Sequence, residues 1–167
     1  MFSLPSPLHP ALVHFPIALI LVGAVVAVAA VFIGRRVLPP LSAGLLAAAA
    51  LGTVAAAWTG GQEEEMAGEL ASQAEQALDA HEDWGIATRN AALIAAVLAV
   101  GAAAARRLPR FSRGLSVLAA AAALWASVCV AQAGHYGGQL VYRHGVGVNA
   151  ADATESARNG EPHAGED

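Results

Sequence analysis

The stretch ALVHFPIALILVGAVVAVAAVFI, residues 11–33, holds no charged residue, and His14 is its most polar side chain. About 20 predominantly apolar residues suffice for a helix to cross the ~30 Å hydrocarbon layer of a bilayer. A helix that is apolar all the way round has no face to offer water and must be enclosed by protein or lipid. The chain has 167 residues, room for one domain. It is 56% hydrophobic and 13% charged, without a single lysine, where a soluble domain carries about a quarter charged residues. Lipid is therefore the expected solvent.

Three further runs match the first in character: Leu41 to Trp58, Ile86 to Ala105 and Leu115 to Ala133. Four spans predict an all-α, integral membrane four-helix bundle. Abundant alanine and glycine allow the close helix approach that holds such bundles together in lipid. The domain is expected to occupy residues 1–148. Residues 149–167 (NAADATESARNGEPHAGED) lack large apolar side chains, and a disordered acidic tail is expected there. The sequence shows no internal repeat on this reading.

The connections carry opposite charge. GRRVLPP (34–40) and RRLPRFSRG (106–114) hold Arg35, Arg36, Arg106, Arg107, Arg110 and Arg113, six of the nine basic residues. All 13 acidic residues fall in the loop from Thr59 to Gly85 or in the tail. The positive-inside rule sets the arginine loops in the cytoplasm and both termini outside it. The leading MFSLPSPLHP has no basic n-region of the kind a cleaved signal peptide uses, so the first helix is expected to be retained. The acidic balance, with a formal charge of −4, gives no basic patch for nucleic acid.

Within the long loop, Leu70, Ala74, Ala77, Leu78 and His81 repeat at helical spacing and share one face. This predicts an extra amphipathic helix between spans two and three, lying in the membrane interface with its apolar side inward. After the fourth span, Gly137 and Gly138 are expected to end the helix.

Five histidines, His9, His14, His81, His135 and His144, all map to the extracytoplasmic end. His9 precedes Pro10 at the membrane surface, and His14 lies inside the first span. The only cysteine, Cys129, sits in an apolar run, so zinc ribbons, CxxC redox chemistry and covalent c-type haem have no ligands here. An imidazole in hydrocarbon is costly unless paired. The leading expectation is haem b, one or two groups, held by axial pairs drawn from His9, His14, His81 and His144, with His135 as a further candidate. The alternative is a zinc or copper ion held by the same imidazoles. A third reading is a non-catalytic accessory or scaffold subunit of a respiratory complex. No HExxH-like spacing marks an enzyme, and no mid-bilayer charge marks a transporter.

LHPALVHFPIAL near the start and GGQLVYRHGVGV near the end resemble the paired signatures of a bacterial domain-of-unknown-function family, number twenty-two thirty-one. The resemblance runs from Leu8 to Val148 and implies four membrane helices. It matches His9, His14 and His144, with a histidine at about the place of His81; His135 fits less well. Related domains occur joined to cytochrome c or Rieske modules. This implies electron transfer in the bacterial cytoplasmic membrane, with cytochrome c or another redox protein as an extracytoplasmic partner. Assembly with further copies or other subunits is compatible with that role.

Overall fold

The computed structural model describes residues 9–33, 35–67 and 72–146, with 63–67 as backbone alone. The expected tail at 149–167 lies outside these residues. The described chain forms four long helices: α1 (His9–Ile33), α2 (Leu38–Ala67), α3 (Ser72–Ala104) and α4 (Pro109–Tyr142), with a 3₁₀ turn at Ala105–Arg107. All four are long and apolar enough to cross a membrane. They run up, down, up, down. Each packs on its neighbours in order and α4 closes back on α1, so that α1 and α3 face one another across the diagonal.

The packing is inverted relative to a soluble bundle. The centre is alanine: Ala49, Ala92, Ala95, Ala123 and Ala126 are fully buried, while Ile20, Leu46 and Cys129 are the largest side chains that are. Leu51, Val97, Val25 and Phe32 point outward and are more than two-thirds exposed. In lipid, burying leucine gains nothing over leaving it among acyl chains. Small residues inside bring backbones close and maximise dispersion contact. Gly23 illustrates the fit, since a Cβ there would lie 2.8 Å from Leu46 Cδ2.

The starts of α2 and α4 follow from proline. Pro39 and Pro40 occupy the first turn of α2, and Pro109 is the first residue of α4. There the missing N–H costs no hydrogen bond. α4 ends in a left-handed glycine cap: Gly145 takes φ +66° and its N–H donates to Val141 O, while Val146 N–H donates to Leu140 O.

Two expectations are corrected. The amphipathic segment is no separate interfacial helix but the first turns of α3, which runs unbroken from Ser72 through His81 and Gly85 into the span. Its inward face was read rightly: Ala74 and Ala77 are buried, whereas Glu75 and Asp79 are exposed. Leu70 lies outside the described residues. The segment is rich in Ala, Glu and Gln, strong helix formers, and its buried face packs on the bundle, so nothing forces a bend. Nor does α4 stop at Gly137–Gly138; it continues to Tyr142. A glycine costs a helix only about 1 kcal/mol, and Gly137 is where another side chain packs.

Candidate functional site

The helix lengths set the level of the histidines. At 1.5 Å per residue, His9 lies about 36 Å along α1 from Ile33 and His81 about 35 Å along α3 from Ala104. With a hydrocarbon layer of ~30 Å, both imidazoles sit at the boundary opposite the arginine loops. α2, α3 and α4 extend roughly 14–16 Å beyond this level, by the same rise.

Here the diagonal helices bring two rings together. The centroids of His9 and His81 are 6.2 Å apart, with ring planes at 89°. Each ring is anchored to the next helix around the bundle. His9 Nδ1 lies 2.8 Å from the carbonyl oxygen of Ala56 on α2. His81 Nδ1 lies 2.8 Å from that of Ala133 on α4. A carbonyl oxygen only accepts, so both Nδ1 atoms carry the proton. In a neutral imidazole that leaves the lone pair on Nε2. The Oγ1 of Thr59, 3.4 Å from His9 Nδ1, is a second and longer acceptor; its own hydroxyl points back at Ala55 and Ala56 oxygens.

Glycine makes these seats. A Cβ at Gly60 would stand 3.1 Å from His9 Cε1 and 3.2 Å from Nδ1. A Cβ at Gly137 would stand 3.0 Å from His81 Cε1 and 3.1 Å from Nδ1. Both rings are half-buried.

The other candidates do not join the pair. His14 is exposed on α1, about 140° around the helix from His9 at 100° per residue. His135 is exposed, accepts from the Gln139 amide at Nε2 (2.8 Å) and packs edge-on against Tyr136. His144 is half-buried in the turn after α4, its N–H donating to Gln139 O. No group of three or more His, Cys, Asp or Glu side chains suited to a metal ion forms among the described residues. Thr59, Gly60 and Gly137 are the site residues that sequence reasoning passed over. The one available signal was the recurrence of GGQ at 60–62 and 137–139.

The arrangement sets two imidazoles 6.2 Å apart, each with its Nδ1 bonded to a backbone carbonyl. A backbone acceptor on Nδ1–H fixes tautomer and orientation and raises the basicity of Nε2, as the partners of metal-bound histidines do.

The family profile described as predicted membrane protein, DUF2231, matches residues 5–150, and the chain belongs to that family. No curated protein and no solved structure matches the chain.

Proposed function

We propose that this member of the DUF2231 family is a b-type haem protein of the membrane, in which His9 and His81 are the axial ligands and electron transfer is the function. The observation that supports it is the pair of facing imidazoles across the bundle diagonal. A bare zinc ion takes three or four protein ligands. Haem iron already has four nitrogens from the macrocycle and asks the protein for two. Two imidazoles facing one another across the bundle suit the second demand.

The residues present fit such a group. Two imidazoles bound on opposite sides of one metal, at about 2 Å per bond, have centres roughly 6 Å apart, and the observed separation is 6.2 Å. Bundle interiors between facing helices are established cofactor sites. The residues that touch the two rings, Ala56, Gly60, Ala133 and Gly137, are all small. Bound haem supplies one-electron chemistry. The chain's own contribution is to orient both rings through Ala56 and Ala133 oxygens, to strengthen Nε2 as a donor, and to hold the pair at the bilayer boundary.

In this reading the arginine loops face the cytoplasm of a bacterial cell. The site then lies at the extracytoplasmic face of the cytoplasmic membrane, within reach of a cytochrome c or similar redox partner.

Purification from membranes in mild detergent tests the reading. A reduced-minus-oxidised visible spectrum of b type, lost in both His9→Ala and His81→Ala, is the expected result. A colourless protein carrying stoichiometric zinc or copper would replace haem by a bare metal. A protein with neither would leave the accessory-subunit reading.

A further inference from the structure

The site has a symmetry that extends through the whole bundle. Shifted by 72, His9 becomes His81. The same shift turns LVGAVVAVAA at 21–30 into LIAAVLAVGA at 93–102, with identical residues at Leu21/Leu93, Ala24/Ala96, Val25/Val97, Ala27/Ala99, Val28/Val100 and Ala30/Ala102. It also maps burial onto burial. The buried set of α1 (Pro16, Ile20, Gly23, Ala24, Ala27) becomes Thr88, Ala92, Ala95, Ala96 and Ala99, every one buried in α3.

The second helices correspond at a shift of 77. TGGQ at 59–62 becomes YGGQ at 136–139. Buried Ser42, Ala43, Leu46, Ala49 and Ala56 become Ala119, Ala120, Ala123, Ala126 and Ala133, all buried, while buried Ala50, Thr53 and Thr59 become half-buried Ser127, Val130 and Tyr136. The change of offset is five extra residues between Ala102 and Ala119, taken up by the first turns of α4, since the connections 34–37 and 105–108 are equally long.

The contacts repeat as well as the text. The acceptor Ala56 maps to Ala133, with the same 2.8 Å bond. Gly60 maps to Gly137, each within 3.1 Å, by its virtual Cβ, of its own histidine's Cε1. Because α1 lies diagonal to α3 and the helices alternate around a ring, the relating axis runs along the bundle and passes between the two imidazoles.

We infer that the chain is a tandem duplication of one helical hairpin. His9 and His81 are then the equivalent half-sites of a single ligand position on its pseudo-twofold axis, with Gly60 and Gly137 as matched positioning residues. That the ligand is a metalloporphyrin rests on the reading above. The duplication and the matched half-sites do not. At the site itself the match breaks at Thr59, which accepts from His9 Nδ1–H and corresponds to Tyr136, which packs on His135 instead.

The test uses the full chain, ¹⁵N-labelled at histidine and freed of any haem, at a pH above the ordinary imidazole range. Nitrogen chemical shifts distinguish protonated from bare ring nitrogens, and His9→Gln and His81→Gln assign the signals. The expected result is the Nδ1–H tautomer at both positions. Gly60→Ala moves the His9 signals alone and Gly137→Ala the His81 signals alone. Gly61→Ala and Gly138→Ala, whose Cβ atoms would meet nothing within 4 Å, move neither. The wild-type tautomers need no variant to fold, and an Nε2–H tautomer at either histidine overturns the inference. With haem restored, each glycine variant is expected to weaken retention by about tenfold, as loss of an outer-shell partner does; a large effect at one glycine alone overturns the equivalence. Absence of haem under all conditions defeats the earlier reading, while matched tautomers would still support the duplicated half-sites.

Discussion

Replacing Gly52 by alanine isolates the packing between α1 and α2. A Cβ at Gly52 would lie 3.1 Å from Pro16 Cβ and 3.3 Å from Pro16 Cδ. Pro16 is buried, and a pyrrolidine ring has no rotamer by which to withdraw. Overpacking of this kind costs about 1–3 kcal/mol. Against it stands the gain in helix propensity, about 1 kcal/mol. Gly44→Ala supplies the reference, because the added methyl meets nothing within 4 Å and only the propensity gain remains. The difference between the two variants is therefore the overpacking alone, about 1–3 kcal/mol. At about 2–4 °C per kcal/mol for a chain of this size, the midpoints should differ by about 2–12 °C, with Gly52→Ala the lower. Cys129, the single cysteine, is 0% exposed and reports unfolding through its reaction with a thiol-specific fluorophore during a thermal ramp in detergent. Equal midpoints for the two variants would refute the reasoning, since they would mean that Pro16 and Gly52 are not in contact.

His135→Ala should leave bound haem unchanged, because its exposed ring pairs with the Gln139 and Tyr136 side chains of its own helix; pigment content per chain checks this. Thr59→Val removes the longer acceptor from His9 Nδ1–H. A hydrogen bond at the weak end, about 0.5 kcal/mol, corresponds to about 20 mV in a one-electron potential. The imidazole becomes a poorer donor and the potential should rise, as a redox titration would read. Gly145→Ala forces a Cβ into the left-handed region at φ +66° and should cost about 1–2 kcal/mol. The loss appears as faster amide exchange at Gly145 and Val146, whose N–H groups close the α4 terminus.

The four spans were legible because uncharged apolar runs of membrane length have few other uses. Their ends were less so. Outside the lipid, α3 continues on residues whose polar side faces water and whose alanine side packs inward, so the hydropathy falls while the helix does not stop. Gly137–Gly138 misled for a related reason: the pair reads as punctuation, yet Gly137 is small because the His81 ring lies against it. The inward face of His81 followed from spacing along one helix. Its meeting with His9 did not, because that contact crosses the bundle diagonal and no local period encodes it. His14, the deepest histidine by sequence, turned out to be exposed; depth along a span says nothing about which side of the helix a residue occupies. The duplication was hidden by its change of offset from one helix pair to the other and by alanine-rich text in which true matches resemble chance.

The claim on which the account turns is that His9 and His81 grip one iron from opposite sides. Low-temperature electron paramagnetic resonance of the oxidised, purified protein addresses it directly. With ring planes at 89°, two axial imidazoles should yield a low-spin ferric signal of the strongly anisotropic type that near-perpendicular ligand planes produce. A high-spin ferric signal, or a protein with no haem iron to observe, would contradict it.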